Sequence, residues 1–304
     1  MRFTREALSV DVPAGQIERA REFYRKRPAG RGPKDLDELR ETRAAVPAPS
    51  AADPPALELV AEAAGRSIPI RVFTPQSGVV HGVHLDIHGG GFYLGSAARE
   101  DLRNRERADR LNIAIVSVDY RLAPENPWPA APDDCDTAAR WLVEHTEERF
   151  GTTRTTIGGS SAGATLAVVT LLRMRDRGGA ECAGAALQFG AYDLSTQTPA
   201  GRRIADEYFI EAYAGHVGDR TAPDISPIFA DLRGLPPTVM IVGAQDVLLE
   251  DNIAMAGRLS AAGNDVEFRI YPEALHGFTG HLTDLAATAL RDVDSWLLDR
   301  FAGP

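Results

Sequence analysis

The stretch Gly159-Ser160-Ser161-Ala162-Gly163 constrains this chain more than any other. A short β-type run, Thr155 to Gly158, leads into it, and a long Ala/Leu/Val segment that reads as a helix, Ala162 to Arg177, follows. A side chain lifted out of a sharp strand-to-helix turn crowds the positions two before and two after it, so both must be small. Gly159 and Gly163 meet that need for Ser161. Ser160 fails it, because Ala162 stands two positions on. Ser161 is therefore the candidate nucleophile. A Gly/Ser turn before a helix can also be a plain N-cap, so the motif needs partners elsewhere in the chain.

That passage belongs to a longer alternation. Strands are expected at Ile68–Thr74, Val79–Ile87, Ile113–Val118, Thr155–Gly158, Gly184–Gly190, Thr238–Gly243 and Val266–Tyr271. Helices are expected at Arg99–Leu111, Pro132–Phe150, Ala162–Arg177, Glu250–Ala262 and Thr283–Phe301. Alternation of this kind implies an α/β fold, a mostly parallel sheet with helices on both faces. Ligands then sit beyond the carboxyl ends of the strands.

Two segments depart from the alternation. Residues 1–55 hold two helical runs, Ile17–Arg27 and Asp35–Ala45, separated by the breaker-rich loop 28–33 and ended by Pro47, Pro49, Pro54 and Pro55. They read as a helical attachment to a catalytic domain spanning 56–304. The second departure is an insertion, at about 195–225 within Leu194–Phe229, with a helical run from Arg202 to Tyr213. An insertion that long is usually a lid or binding element.

Composition narrows the partners. The net charge of −10 argues against nucleic acid and against an anionic membrane surface. The local cluster Arg19, Arg21, Arg25, Lys26, Arg27 and Arg31 reads as a solvated helix face with its trailing loop. No run reaches the roughly 18 apolar residues of a membrane span, and Met1–Glu6 lacks a signal-peptide core. Cys135 and Cys182 allow a disulfide but read better as two buried free thiols, which points to a reducing compartment and a cytoplasmic protein. Self-association is left open.

Serine attacks only when a base takes its proton and donors hold the resulting oxyanion. His88-Gly89-Gly90-Gly91 follows an apolar strand and can turn sharply with its N–H groups exposed. The oxyanion donors assigned are the N–H groups of Gly90 and Gly91, with that of Ala162 at the helix start, where the helix dipole helps. The base is His276, which follows the last strand; the other six histidines fit worse by position. Asp246, just past strand Thr238–Gly243, orients it. Glu250 and Asp251 are rivals, but acids at a helix start are explained by the dipole alone. The order Ser161, Asp246, His276 suits a doubly wound sheet of this type. The chemistry needs neither metal nor cofactor.

With these residues in view, the chain resembles the hormone-sensitive-lipase-like family of α/β hydrolases over roughly residues 57–304. Three motifs carry the likeness: His88-Gly89-Gly90-Gly91-Phe92; Asp119-Tyr120-Arg121-Leu122-Ala123-Pro124-Glu125 continuing through Asn126-Pro127-Trp128-Pro129-Ala130-Ala131; and the Ser161 turn. The resemblance implies the α/β-hydrolase fold and a two-part cap built from the N-terminal helices and the insertion. It also implies activity on small esters of short acyl chains. Tyr120–Pro129 is expected to brace the glycine turn without a catalytic role. The chain departs from the family at Ser160, where an acid is common, at Ala164, where a glycine is common, and at Asn126, where a histidine is usual.

The favoured function is therefore a serine carboxylesterase acting on a small-molecule ester. An amide hydrolase on the same fold is the first alternative. A non-catalytic small-ligand receptor is the second, and such receptors typically lose a member of the triad that this chain keeps. A lipase working at an oil–water interface is disfavoured. Arg202, Arg203, Asp206, Glu207 and Glu211 would make the outer face of the insertion polar.

Overall fold

Short strands buried end to end need cover on both faces, and the middle of this sheet is built from them. The computed structural model describes residues 4–26, 32–179 and 181–302. Strands β3 (Val83–Ile87), β4 (Ala114–Val118), β6 (Gly184–Gln188) and β7 (Thr238–Gly243) are buried at every position. They join β1 (Leu57–Ala63), β2 (Arg66–Phe73), β5 (Thr155–Ser160) and β8 (Val266–Tyr271) in one eight-stranded sheet of order β1-β2-β4-β3-β5-β6-β7-β8. All neighbours are parallel except β2, which runs antiparallel to both β1 and β4. The order reverses around β3, so the ends of β3 and β5 lie side by side.

Helices α5 (Ala130–Phe150), α6 (Ala162–Asp176) and α8 (Leu249–Ala261) pack on one face. Helices α4 (Asp101–Leu111) and α9 (Asp284–Ala302) pack on the other. A buried ion pair, Arg107 Nε to Asp294 at 2.7 Å, joins α4 to α9. No helix among the described residues is long and apolar enough to cross a membrane.

Several boundaries differ from expectation. Strand β1 was not anticipated. Its outer half is exposed, so it lacks the apolar run that marks a buried strand. The readable signal was Ala64-Gly65, both at positive φ in a two-residue hairpin turn. The strand expected from Val79 begins only at Val83, because the chain first passes α9: the Phe301 ring lies 2.0 Å from where a Gly82 Cβ would be. Strand β5 runs on to Ser160, pairing Gly159 with Leu187 and Ser160 with Gln188. Strand β6 stops at Gln188, before Phe189 at φ 40°. The helical run expected over Arg202–Tyr213 is broken into a 3-10 turn, Gly201–Ile204, and helix α7 (Tyr208–Ala214). Cys135 is buried as expected, whereas Cys182 is only half-buried.

The N-terminal segment divides its attention. A short helix, α1 (Arg5–Leu8), leads Val10 N–H onto Ile270 O at the β8 edge (2.9 Å). Helix α2 (Ala14–Arg25) packs on α9, with Arg19 paired to Asp284 and Arg21 to Glu273. Arg27, Arg31 and the loop 28–31 lie outside the described residues. Helix α3 (Leu36–Ala45), capped by the Asp35 carboxylate on Glu38 N–H at 2.9 Å, buries Leu39 and brings Thr42 to the cavity at the carboxyl end of the sheet.

Candidate active site

Ser161 stands between β5 and α6 at φ 53°, ψ −122°, a conformation that side chains seldom adopt. Its surroundings explain both flanking glycines. A Cβ on Gly159 would sit 2.5 Å from Ile87 O and from Gly163 C. A Cβ on Gly163 would sit 2.0 Å from Ile87 O. The turn is held by Ser161 N–H donating to Gln188 O (2.8 Å) and by Ala164 N–H donating to Ser161 O (3.0 Å).

His276 and Asp246 arrive from the ends of β8 and β7. Their two loops interlock: Gln245 N–H donates to Ala274 O (2.9 Å), and a Cβ on Gly243 would meet that same oxygen at 2.2 Å. Ser161 Oγ is 2.9 Å from His276 Nε2. His276 Nδ1 is 3.1 and 3.0 Å from the two Asp246 oxygens. Asp246 Oδ1 also accepts from Leu248 N–H at 2.8 Å, which fixes the carboxylate plane. The Asp246 side chain is fully buried, while that of His276 is 37% exposed. With a carboxylate on Nδ1, the neutral ring carries its proton there and leaves Nε2 to accept from the serine hydroxyl. The Phe189 ring stands edge-on to the imidazole, at 5.2 Å and 74°.

The glycine turn lies directly beside this series. Gly90 (φ 120°) and Gly91 (φ 59°) both adopt backbone shapes that favour glycine. A Cβ on Gly90 would meet Leu94 O at 2.2 Å. Gly90, Gly91 and Ala162 line one cavity of about 600 Å³ together with Ser161 and His276. The expected brace is present. Tyr120 Oη donates to His88 O (3.0 Å), and its ring stacks on the His88 ring at 4.1 Å. Arg121 acts elsewhere, pairing with Asp134 on α5. Asn126 closes its own turn, donating from N–H and Nδ2 to Leu122 O at 2.9 and 3.4 Å.

Three of the other histidines are engaged elsewhere: His84 with Thr156, His145 with Trp141 O and His281 with Tyr24. Burial pushes the His88 imidazole down. Glu250 is exposed in the first turn of α8, as expected. Asp251 needs a different account. It is buried, and its Oδ2 accepts from Tyr192 N–H (2.5 Å) and Asp193 N–H (3.3 Å), so it clamps the loop after β6. Burial drives its carboxyl up to about 7.

Sequence reasoning missed the cavity wall. Phe209 on α7 presses on Gly91: its Cβ lies 3.2 Å from where a Gly91 Cβ would be. Val247, Leu248 and Ile204 add apolar wall, and Pro33 and Thr42 reach in from the N-terminal segment. Glu207 was expected on the polar outer face of the insertion. It lines the cavity instead, while Arg202, Arg203, Asp206 and Glu211 are exposed as expected. Periodicity cannot assign Glu207 to either side, because the helix is broken just before it.

Known proteins are similar to this chain over most of its length. Residues 84–280 match a family described as the alpha/beta hydrolase fold. Carboxylesterase NlhH of Mycobacterium tuberculosis is 34% identical over 73% of this chain and 74% of NlhH. Esterase LipI of the same organism is 34% identical over 66% of this chain and 66% of LipI, just under two thirds of that protein. A solved hormone-sensitive lipase from a metagenome library superposes with a TM-score of 0.73 at 28% identity, covering 96% of this chain and 99% of that one. With residues 84–280 matched to the fold's family, a 34% identical relative matched over 73% of this chain and a hormone-sensitive lipase superposing on 96% of it, the chain belongs to the hormone-sensitive-lipase-like family of α/β hydrolases.

Proposed function

We propose that the chain is a serine carboxylesterase that hydrolyses short-to-medium acyl esters through an acyl-enzyme. One observation carries this reading: the hydrogen-bonded series Ser161 Oγ, His276, Asp246, open on one side to the cavity. In the first step Ser161 Oγ bonds to the ester carbonyl carbon while its proton passes to His276 Nε2. The carbonyl π pair moves to oxygen and is held by the N–H groups of Gly90, Gly91 and Ala162. Ala162 heads α6, so its N–H has no intrahelical acceptor and the helix dipole favours the charge. When that pair returns, the C–O bond to the alcohol breaks and His276 gives the leaving oxygen its proton. Water then repeats the sequence on the acyl group, with His276 as base, and frees the acid. Asp246 holds the imidazole in one tautomer and stabilises it when protonated.

The cap comprises α3 from the N-terminal segment and the insertion bearing Ile204 and Phe209, and it sets which esters fit. The names carried by NlhH and LipI support an ester as substrate. The free thiols support a cytoplasmic site of action. Replacing Ser161 with alanine should lower turnover of p-nitrophenyl butyrate by on the order of 10⁴ or more. A fluorophosphonate should label Ser161 in the parent protein. Retention of most activity in that variant would remove the assignment.

A further inference from the structure

The cavity has an uneven charge. Of its carboxylates and guanidinium, Arg103 and Glu100 pair with each other at 2.8 Å and neutralise one another. Glu207 is left over. Among the described residues, no cation or hydrogen-bond donor reaches its carboxylate. An acid just before a helix is often a cap, but the Glu207 side chain makes no capping bond to α7.

Its direction is informative. Glu207 Oε2 lies 3.2 Å from the point that a Cβ on Gly32 would occupy, and Tyr93 Oη lies 2.8 Å from the same point. Both oxygens thus pack against the Cα of Gly32, where any side chain would collide with them, and the Glu207 carboxylate and Tyr93 hydroxyl border the same end of the cavity. The Tyr93 and Phe209 rings stand beside it, 6.4 Å apart and at 72° to each other, and both line the cavity. Burial, and then the charge of Glu207, push the Tyr93 phenol up to about 12, so it remains a neutral ring with a polar tip at pH 7. A carboxylate beside aromatic rings in one cavity attracts a cation and repels an anion. The protein's net charge of −10 works in the same direction.

We infer that Glu207, Tyr93 and Phe209 form a subsite for a protonated amine or quaternary ammonium group. The preferred substrates are then esters that carry a positive charge beyond the scissile bond. The substrate class rests on the esterase reading; the cation subsite itself is testable by binding alone.

The test uses two esters of the same shape, 2-(trimethylammonio)ethyl acetate and its carbon isostere 3,3-dimethylbutyl acetate. Binding is measured by calorimetry on the Ser161→Ala protein. The cationic ester should bind at least about tenfold more tightly. Rising ionic strength should weaken the cationic ester and spare the neutral one. Adding Glu207→Gln should remove the difference, and Glu207→Lys should shift preference to an anionic monosuccinate ester. Equal affinities for the two isosteres in Ser161→Ala would overturn the subsite, as would a preference that survives Glu207→Gln. Turnover of the neutral ester by the unaltered protein reports separately on the esterase reading. Its absence would sink that reading and leave the binding comparison intact.

Discussion

The carbonyl oxygen of Ile87 stands 2.0 Å from where Gly163 would carry a Cβ. The first turn of α6 is therefore pressed against the end of β3, where the glycine turn begins. This contact sets the spacing between the proposed nucleophile and the proposed oxyanion donors. Gly163→Ala must push α6 off β3 and open that gap. Overpacking of this kind costs about 1–3 kcal/mol, and a displacement near 1 Å at the reacting atoms costs about 10² in rate. The variant should melt lower and turn over p-nitrophenyl butyrate at least that much more slowly. A variant with unaltered melting and turnover would contradict the contact.

Asp246→Asn tests the orienting role apart from packing. An asparagine keeps an oxygen for Leu248 N–H and fills the same buried space. Its amide can turn an N–H toward His276 Nδ1 and so favour the tautomer that faces Ser161 with a proton. Turnover should drop by on the order of 10⁴, with little change in melting temperature. A drop below tenfold would assign His276 another partner.

What the sequence made legible, and what it did not, divides along physical lines. Ser161, Gly159 and Gly163 were readable because a strained turn restricts residue types at fixed offsets. His276 and Asp246 were readable because a wound parallel sheet puts strand ends on one side, so chain order limits the candidates. Strand β1 was hidden because an exposed edge strand carries no buried run. Asp251 was misjudged because an acid at a helix start looks alike whether it faces water or a buried loop. Glu207 was placed outside because a broken helix has no periodicity to extrapolate. Local backbone geometry writes itself into the sequence, whereas the facing of a side chain in an irregular segment depends on distant packing.

Arg43 links the N-terminal segment to the loop after the glycine turn. From α3 it donates to Tyr93 O (3.0 Å), to Ala123 O (2.6 Å) and to the Glu125 carboxylate (2.7 Å). The planar guanidinium spreads its donors in fixed directions onto three separated acceptors, a reach that a lysine's compact ammonium does not match. Arg43→Ala should cost roughly 1–3 kcal/mol and raise KM more than it lowers kcat, since the loop carrying Tyr93 would lose its tie. Arg43→Lys should restore only part of either. Denaturant melts and steady-state kinetics on one short ester measure both, and unchanged KM in Arg43→Ala would dissociate α3 from the cavity.

Asp251 gives a pH dependence with a defined sign. Its carboxyl has an ordinary value of 3.8 and is raised to about 7 by burial in the fold. Between those values the folded state holds more protons than the unfolded one, so this residue's contribution to stability declines as pH rises. The decline is complete above about pH 7 and amounts to on the order of 4 kcal/mol. Asp251→Asn keeps an acceptor for Tyr192 and Asp193 N–H and cannot ionise. Its melting temperature should fall less than the parent's across this window, with the variant the more stable protein near pH 8. Other groups that titrate in the window cancel in the difference between the two proteins. Parallel curves would mean that Asp251 is ionised throughout, held by the two backbone N–H groups in spite of its burial.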